Sequence, residues 1–172
     1  MSFSRILQHP LRFGTSRAAT LLALGLMALF ASPVAAGTRV NVQSTLGEYT
    51  LELFDEQAPE AVAHFLANIE AGNYHFTMIH AVSTTVLAGG LYFYNTCSEG
   101  PVPATPLPPA PVVPYDLPNR TRAIALVPDS ENPTTLSGQW IINLGNNEGL
   151  FDPALEPIVI GEVVAGFAAA DA

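Results

Sequence analysis

Hydrophobic and polar positions alternate at Val40 and Val42 and again at Tyr49, Leu51 and Leu53, on either side of Gly47. A period of two sets one face of an extended segment into a core and the other into water, so this stretch predicts two strands joined by a tight connection. The period then changes. Val62, Phe65, Leu66 and Ile69 recur at helical spacing behind Pro59, which suits a first helical turn, and the run stops at Gly72. A helix is predicted over residues 59–71.

Residues 78–94 are largely apolar or β-branched around the pair Gly89-Gly90, which fits strands with a bend or a close backbone approach. Further strands are predicted over 123–127, 139–144 and 159–164, with Ser137-Gly138 forming a turn into the second of these. Residues 101–118 hold eight prolines, each without an amide donor, and read as an extended, polyproline-like surface loop outside any ladder. Such a loop can be a passive insertion or a ligand for proline-binding partners. The passive reading is favoured, because prolines among small and apolar residues stay extended without a partner. Many strands with one helix suggest a barrel or sandwich with helical cover.

The amino-terminal stretch stands apart. Arg5, Arg12 and Arg17, with no acid among them, precede an apolar run over 18–31 that Ser32 and Pro33 interrupt. This is the layout of an export signal, and the run is shorter than the roughly 20 apolar residues a membrane span needs. Cleavage after Ala36 sets Val34 and Ala36 at the small-residue positions a signal peptidase reads. Residues 1–36 are therefore expected to be removed and 37–172 to form one domain, periplasmic or secreted, with an uncleaved anchor as the alternative. Beyond residue 36, Arg39, Arg120 and Arg122 face fifteen acidic residues, a net charge of −12 with no lysine. Nucleic acid and anionic membrane surfaces should repel such a chain. Cys97 is the single cysteine, so no internal disulfide can form.

Several short motifs follow one another at the spacing of a known family: Gly47 with Leu51-Glu52-Leu53, Ala58-Pro59, Phe65-Leu66, Gly72-x-Tyr74, Thr77-x-x-His80 and Gly89-Gly90. Gln139-x-x-Ile142-Asn143, Phe151-Asp152 and Gly161-Glu162-Val163-Val164-x-Gly166 continue the series. Together they resemble the cyclophilin-type peptidyl-prolyl cis-trans isomerases, across nearly the whole chain beyond the signal. The resemblance implies a mainly β fold: an antiparallel β-barrel with a helix covering each open end and a proline-binding groove on its outer wall. Family members continue past the glycine that Gly166 resembles into a helical stretch and a final strand. Six residues follow it here, so the final strand is expected to be lacking and the edge beside residues 40–43 to be unpaired.

The family's chemistry is rotation about the bond before proline, with proline-containing polypeptides as partners and neither metal nor cofactor. An arginine donates to the prolyl nitrogen as the amide twists. That arginine's position, after His80, is Ala81, and a methyl group cannot donate. The glutamine expected before the paired glycines is Ala88, a phenylalanine is missing from a segment one residue short around 83–85, and two aromatic positions are Ile141 and Leu150. The groove positions are thus His80, Gln139, Ile141, Leu150 and Phe151, of which Gln139 and Phe151 match the family's pattern; no catalytic side chain is assigned. The expected function is isomerisation by family with weak or absent activity. The competing class is a non-catalytic module that binds peptides or partner proteins through the same groove.

His64, His75 and His80 match no metal-binding spacing and read as core or surface histidines. Ser137 has no defensible histidine and acid around it for a hydrolase triad. Asn119-Arg120-Thr121 fits a glycosylation acceptor, and Asn119 reads as an ordinary loop residue.

Overall fold

The computed structural model describes residues 37–90, 92–95, 100–103, 108–151, 153 and 155–171. The expected signal at 1–36, Cys97 and Asp152 lie outside them. The chain runs β1 (Arg39–Ser44), β2 (Gly47–Leu53), α1 (Pro59–Glu70), β3 (Ala81–Val82), β4 (Val86–Gly89), β5 (Tyr92–Asn95) and β6 (Gly100–Pro103). It continues through β7 (Ala110–Pro111), β8 (Ala123–Pro128), β9 (Thr135–Asn143), β10 (Ile158–Ala165) and α2 (Phe167–Ala170).

The opening hairpin pairs Arg39 with Glu52 through to Ser44 with Gly47, around the turn Thr45-Leu46. Val40, Val42, Tyr49, Leu51 and Leu53 turn to the core, as their alternation requires. The main sheet follows the order β1-β2-β10-β8-β9-β4-β3, all antiparallel, with β7 also on β9. It is mostly β and curls into a half-barrel. Among the described residues β1 pairs with β2 alone and β3 with β4 alone, so the path stays open at the edge expected beside residues 40–43.

α1 starts at Pro59 and ends one residue short of the predicted boundary, with Ala71 as its C-cap. It buries Ala61, Val62 and Phe65 among Leu51, Leu126, Ile142 and Ile160; each large apolar side chain so buried contributes roughly 1.5–3 kcal/mol. α2 rests near β2, with Ala170 buried and the Arg122 guanidinium 5.0 Å above the Phe167 ring.

Two expectations need correction. The proline-rich segment does enter ladders: β6 pairs with β5, and β7 with β9. Pro101 and Pro103 are two residues apart, so both nitrogens fall on one edge, and among the described residues β6 has a partner on only one side. The segment is also anchored, because Tyr115 donates its hydroxyl to Glu60 on α1 at 2.6 Å. Ser137-Gly138 lies inside β9, not in a turn before it. There the ladder with β8 shifts register, the extra residues falling on β9 between Leu136 and Trp140, and Ser137 Oγ donates to the Val127 carbonyl at 2.7 Å.

Candidate functional site

Strands β4, β8, β9 and β10 are apolar on both faces. Leu87, Ile124, Leu126, Ile142 and Ile160 enter the main core, while their neighbours Ala88, Ala123, Ala125, Ile141 and Val159 form a second cluster on the other face. Successive residues of a strand point to opposite faces, so consecutive apolar residues must supply both. The ladder registers align Ala81, Ala88, Ile141, Ala125 and Val159 in one row across β3, β4, β9, β8 and β10.

A cavity of about 290 Å³ opens over this row. Ala81, Val82, Ser83, Val86 and Ala88 line one side; Val127, Gln139 and Ile141 line the middle; Phe151, Leu155 and Pro157, from the segment before β10, close the other side. Ser83 and Gln139 are its polar side chains, and none of the lining is charged. A larger cleft of about 480 Å³ shares Pro157 but is lined by Tyr115, Asp116, Arg120 and Glu148 and takes none of the expected groove residues.

His80 stands behind Gln139. Its Nε2 lies 2.8 Å from Gln139 Nε2, so the imidazole accepts from the amide and carries its proton on Nδ1. That Nδ1 is buried with no partner among the described residues, and the Tyr92 ring meets the imidazole edge-on at 5.1 Å. His80 thus fixes the orientation of Gln139. Ala81, Ala88, Gln139, Ile141 and Phe151 converge on the cavity, whereas Leu150 is 70% exposed and stands outside the lining.

The arginines beyond residue 36 are all engaged elsewhere. Arg39 pairs with Glu52 at 2.8 Å, Arg120 reaches Glu148 at 3.4 Å, and Arg122 lies over Phe167. None lines the cavity, and the chain has no lysine to replace them. Among the described residues no group of three or more His, Cys, Asp or Glu side chains could hold a metal, and no helix is long and apolar enough to cross a membrane.

Three buried asparagines near the site form a network that the sequence pattern does not reveal, although Asn143 falls in the Gln139-x-x-Ile142-Asn143 motif and Asn119 in an acceptor pattern. Asn119, Asn143 and Asn147 are buried and bonded to one another or to nearby carbonyls. Asn119 lies in a loop, as read, but is 1% exposed, which hides its amide from glycosylation in the folded protein.

The family model for cyclophilin type peptidyl-prolyl cis-trans isomerase/CLD matches residues 39–172. The chain belongs to the cyclophilin family. It is 26% identical over 145 residues to a peptidyl-prolyl cis-trans isomerase of Acinetobacter baylyi, covering 83% of this chain and 75% of that protein. To peptidyl-prolyl cis-trans isomerase-like 4 of Aspergillus oryzae it is 24% identical over 144 residues, which span 74% of this chain but 31% of that relative's length. The cyclophilin type isomerase of Cryptosporidium parvum, solved in the presence of the dipeptide Ala-Pro, superposes with a TM-score of 0.56 at 21% identity, over 78% of this chain and 83% of that one. A cyclophilin of Hirschia baltica gives 0.57 at 14% identity, over 78% and 66%. These structures establish a shared cyclophilin fold.

Proposed function

We propose that the cavity over the alanine row receives proline-containing polypeptide segments and that isomerisation there is weak or absent. The observation that carries this reading is the uncharged lining: Ala81 stands among its residues, and no arginine reaches it from elsewhere. The rotation to be catalysed has a barrier of roughly 18–20 kcal/mol. A preorganised donor at the twisting amide is worth about 10²–10³ in rate. An apolar floor can hold a proline ring but cannot stabilise charge developing on its nitrogen. Support for the ligand class comes from the family and from the Ala-Pro dipeptide present with the Cryptosporidium relative.

In this reading residues 1–36 are an export signal, and the remaining domain meets its partners in the periplasm or outside the cell. Its acidity keeps it from nucleic acid and anionic membrane surfaces. The function reduces to a peptide-binding module if catalysis is absent. Titration of the domain with an Ala-Pro-containing peptide, followed by NMR, tests the site. Shifts centred on Ala88, Gln139 and Ile141 support it, and saturation of some other surface refutes it.

A further inference from the structure

Three buried asparagines join two walls of the cavity. Asn147 Nδ2 donates to Asn143 Oδ1 at 2.7 Å, Asn143 Nδ2 to Asn119 Oδ1 at 3.1 Å, and Asn119 Nδ2 to the Pro157 carbonyl at 3.0 Å. Asn147 Nδ2 also donates to the Thr85 carbonyl at 2.9 Å, and Asn143 Nδ2 to the Ala123 carbonyl at 3.2 Å. The chain of amides therefore ends on two backbone carbonyls. Thr85 lies in the turn between Ser83 and Val86, which line one side of the cavity, and Pro157 lines the other with Leu155. β8 and β9 separate these walls in the sheet.

We infer that Asn119, Asn143 and Asn147 are positioning residues that couple the two walls and set the width of the cavity; their effect on a proline-containing ligand rests on the function proposed above. The ladders β4–β9, β9–β8 and β8–β10 already hold the strands. The amides add a link between the two loops that rise from those strands as walls. Only a carboxamide suits Asn143, which must accept from one neighbour while donating to two others. A carboxylate at residue 147 would turn acceptor oxygens toward the Thr85 carbonyl and Asn143 Oδ1, and a serine at residue 119 is too short to reach the Pro157 carbonyl. Leaving such buried groups unpaired costs about 1–3 kcal/mol each, enough to make the walls relax.

Asn119→Ser and Asn147→Asp, each made in the whole chain, test the coupling by methyl NMR. In Asn119→Ser the break lies at the Pro157 end, yet the Val82 and Val86 methyl signals on the far wall should move with that of Leu155. In Asn147→Asp the break lies at the Thr85 end, so the Leu155 signal should move with those of Val82 and Val86, and the displacement should reverse in part on acidification, as a protonated carboxyl supplies one of the two donations lost. Changes confined to residues next to each substitution would overturn the inference. An Ala-Pro peptide that binds the native chain should bind both variants at neutral pH about tenfold more weakly. Unchanged affinity would refute their role in positioning the ligand. A native chain that binds no peptide would sink the proposed ligand class, while the methyl pattern would still decide whether the walls are coupled.

Discussion

Ala81 on β3 stands directly opposite Ala88 on β4, and both line the cavity. In the function proposed above these are the positions where the resemblance implies an arginine and a glutamine, so the two proposed replacements would be neighbours on one row. A guanidinium restored at residue 81 alone would face a methyl group across the ladder, with nothing there to orient it. The two substitutions should accordingly act non-additively, as contacting residues do.

The open edge of the sheet predicts a specific exchange pattern. Leu53 donates its amide to the Thr38 carbonyl at 2.8 Å, and the antiparallel alternation then turns the amides of Val40, Val42 and Ser44 toward β2 and those of Arg39, Asn41 and Gln43 outward. Hydrogen exchange should be fast at the second set and slow at the first. Protection of all six amides in a monomer would contradict the open edge.

His64 predicts a pH dependence of stability. It is 8% exposed on α1, its Nε2 lies 3.3 Å from Asn68 Nδ2, and burial holds its pKa below the usual value against an opposing hydrogen bond to the Ser137 carbonyl. The unfolded chain therefore binds the proton more readily. The stability contributed by neutral His64 is full above the unfolded pKa of about 6.5 and is lost as pH falls toward the folded value. The urea midpoint should fall between about pH 7 and pH 5, more steeply in the native chain than in His64→Phe. Equal slopes would remove His64 from the account. Asp55, whose carboxylate accepts from the Thr38 amide and is thereby held below its usual pKa, adds a loss confined to more acidic solution.

Gly89 predicts a packing defect. The indole of Trp140, its ladder partner, lies where a Cβ would project. Gly89→Ala should cost on the order of 1–3 kcal/mol by urea denaturation, and Trp140→Leu in the same chain should recover part of it. Additive costs in the double variant would show that the two residues do not compete for that space.

The proposed export signal predicts a mature chain that begins at Gly37. Intact mass of the exported protein should match residues 37–172, and full-length chain retained in the inner membrane would refute the signal reading.

The hairpin and α1 are legible in the sequence because one period governs each and Pro59 and Gly72 bracket the helix. The floor of the cavity is legible only in part. Resemblance singles out Ala81, Ala88, Gln139 and Ile141, but their meeting depends on ladder registers between distant segments, and the outward turn of Leu150 leaves no trace in residue type. Periodicity is blind to which edge a proline nitrogen faces, which is why the pairing of β6 is missed. The asparagine network is hidden for a different reason. A polar residue beside Pro118 reads as a loop, and only the folded chain brings Asn119 to Asn143 and Asn147.

The central claim is that the uncharged cavity leaves proline isomerisation nearly uncatalysed. An assay coupling the cis-to-trans step of a proline peptide to a fast readout should find the native chain close to the uncatalysed rate. Ala81→Arg should recover part of the roughly 10²–10³-fold that a positioned donor supplies, and Ala81→Arg with Ala88→Gln and Ile141→Phe should recover more, because the added side chains position both the guanidinium and the ring. A native chain that accelerates the step as strongly as a cyclophilin with its arginine in place would contradict the account.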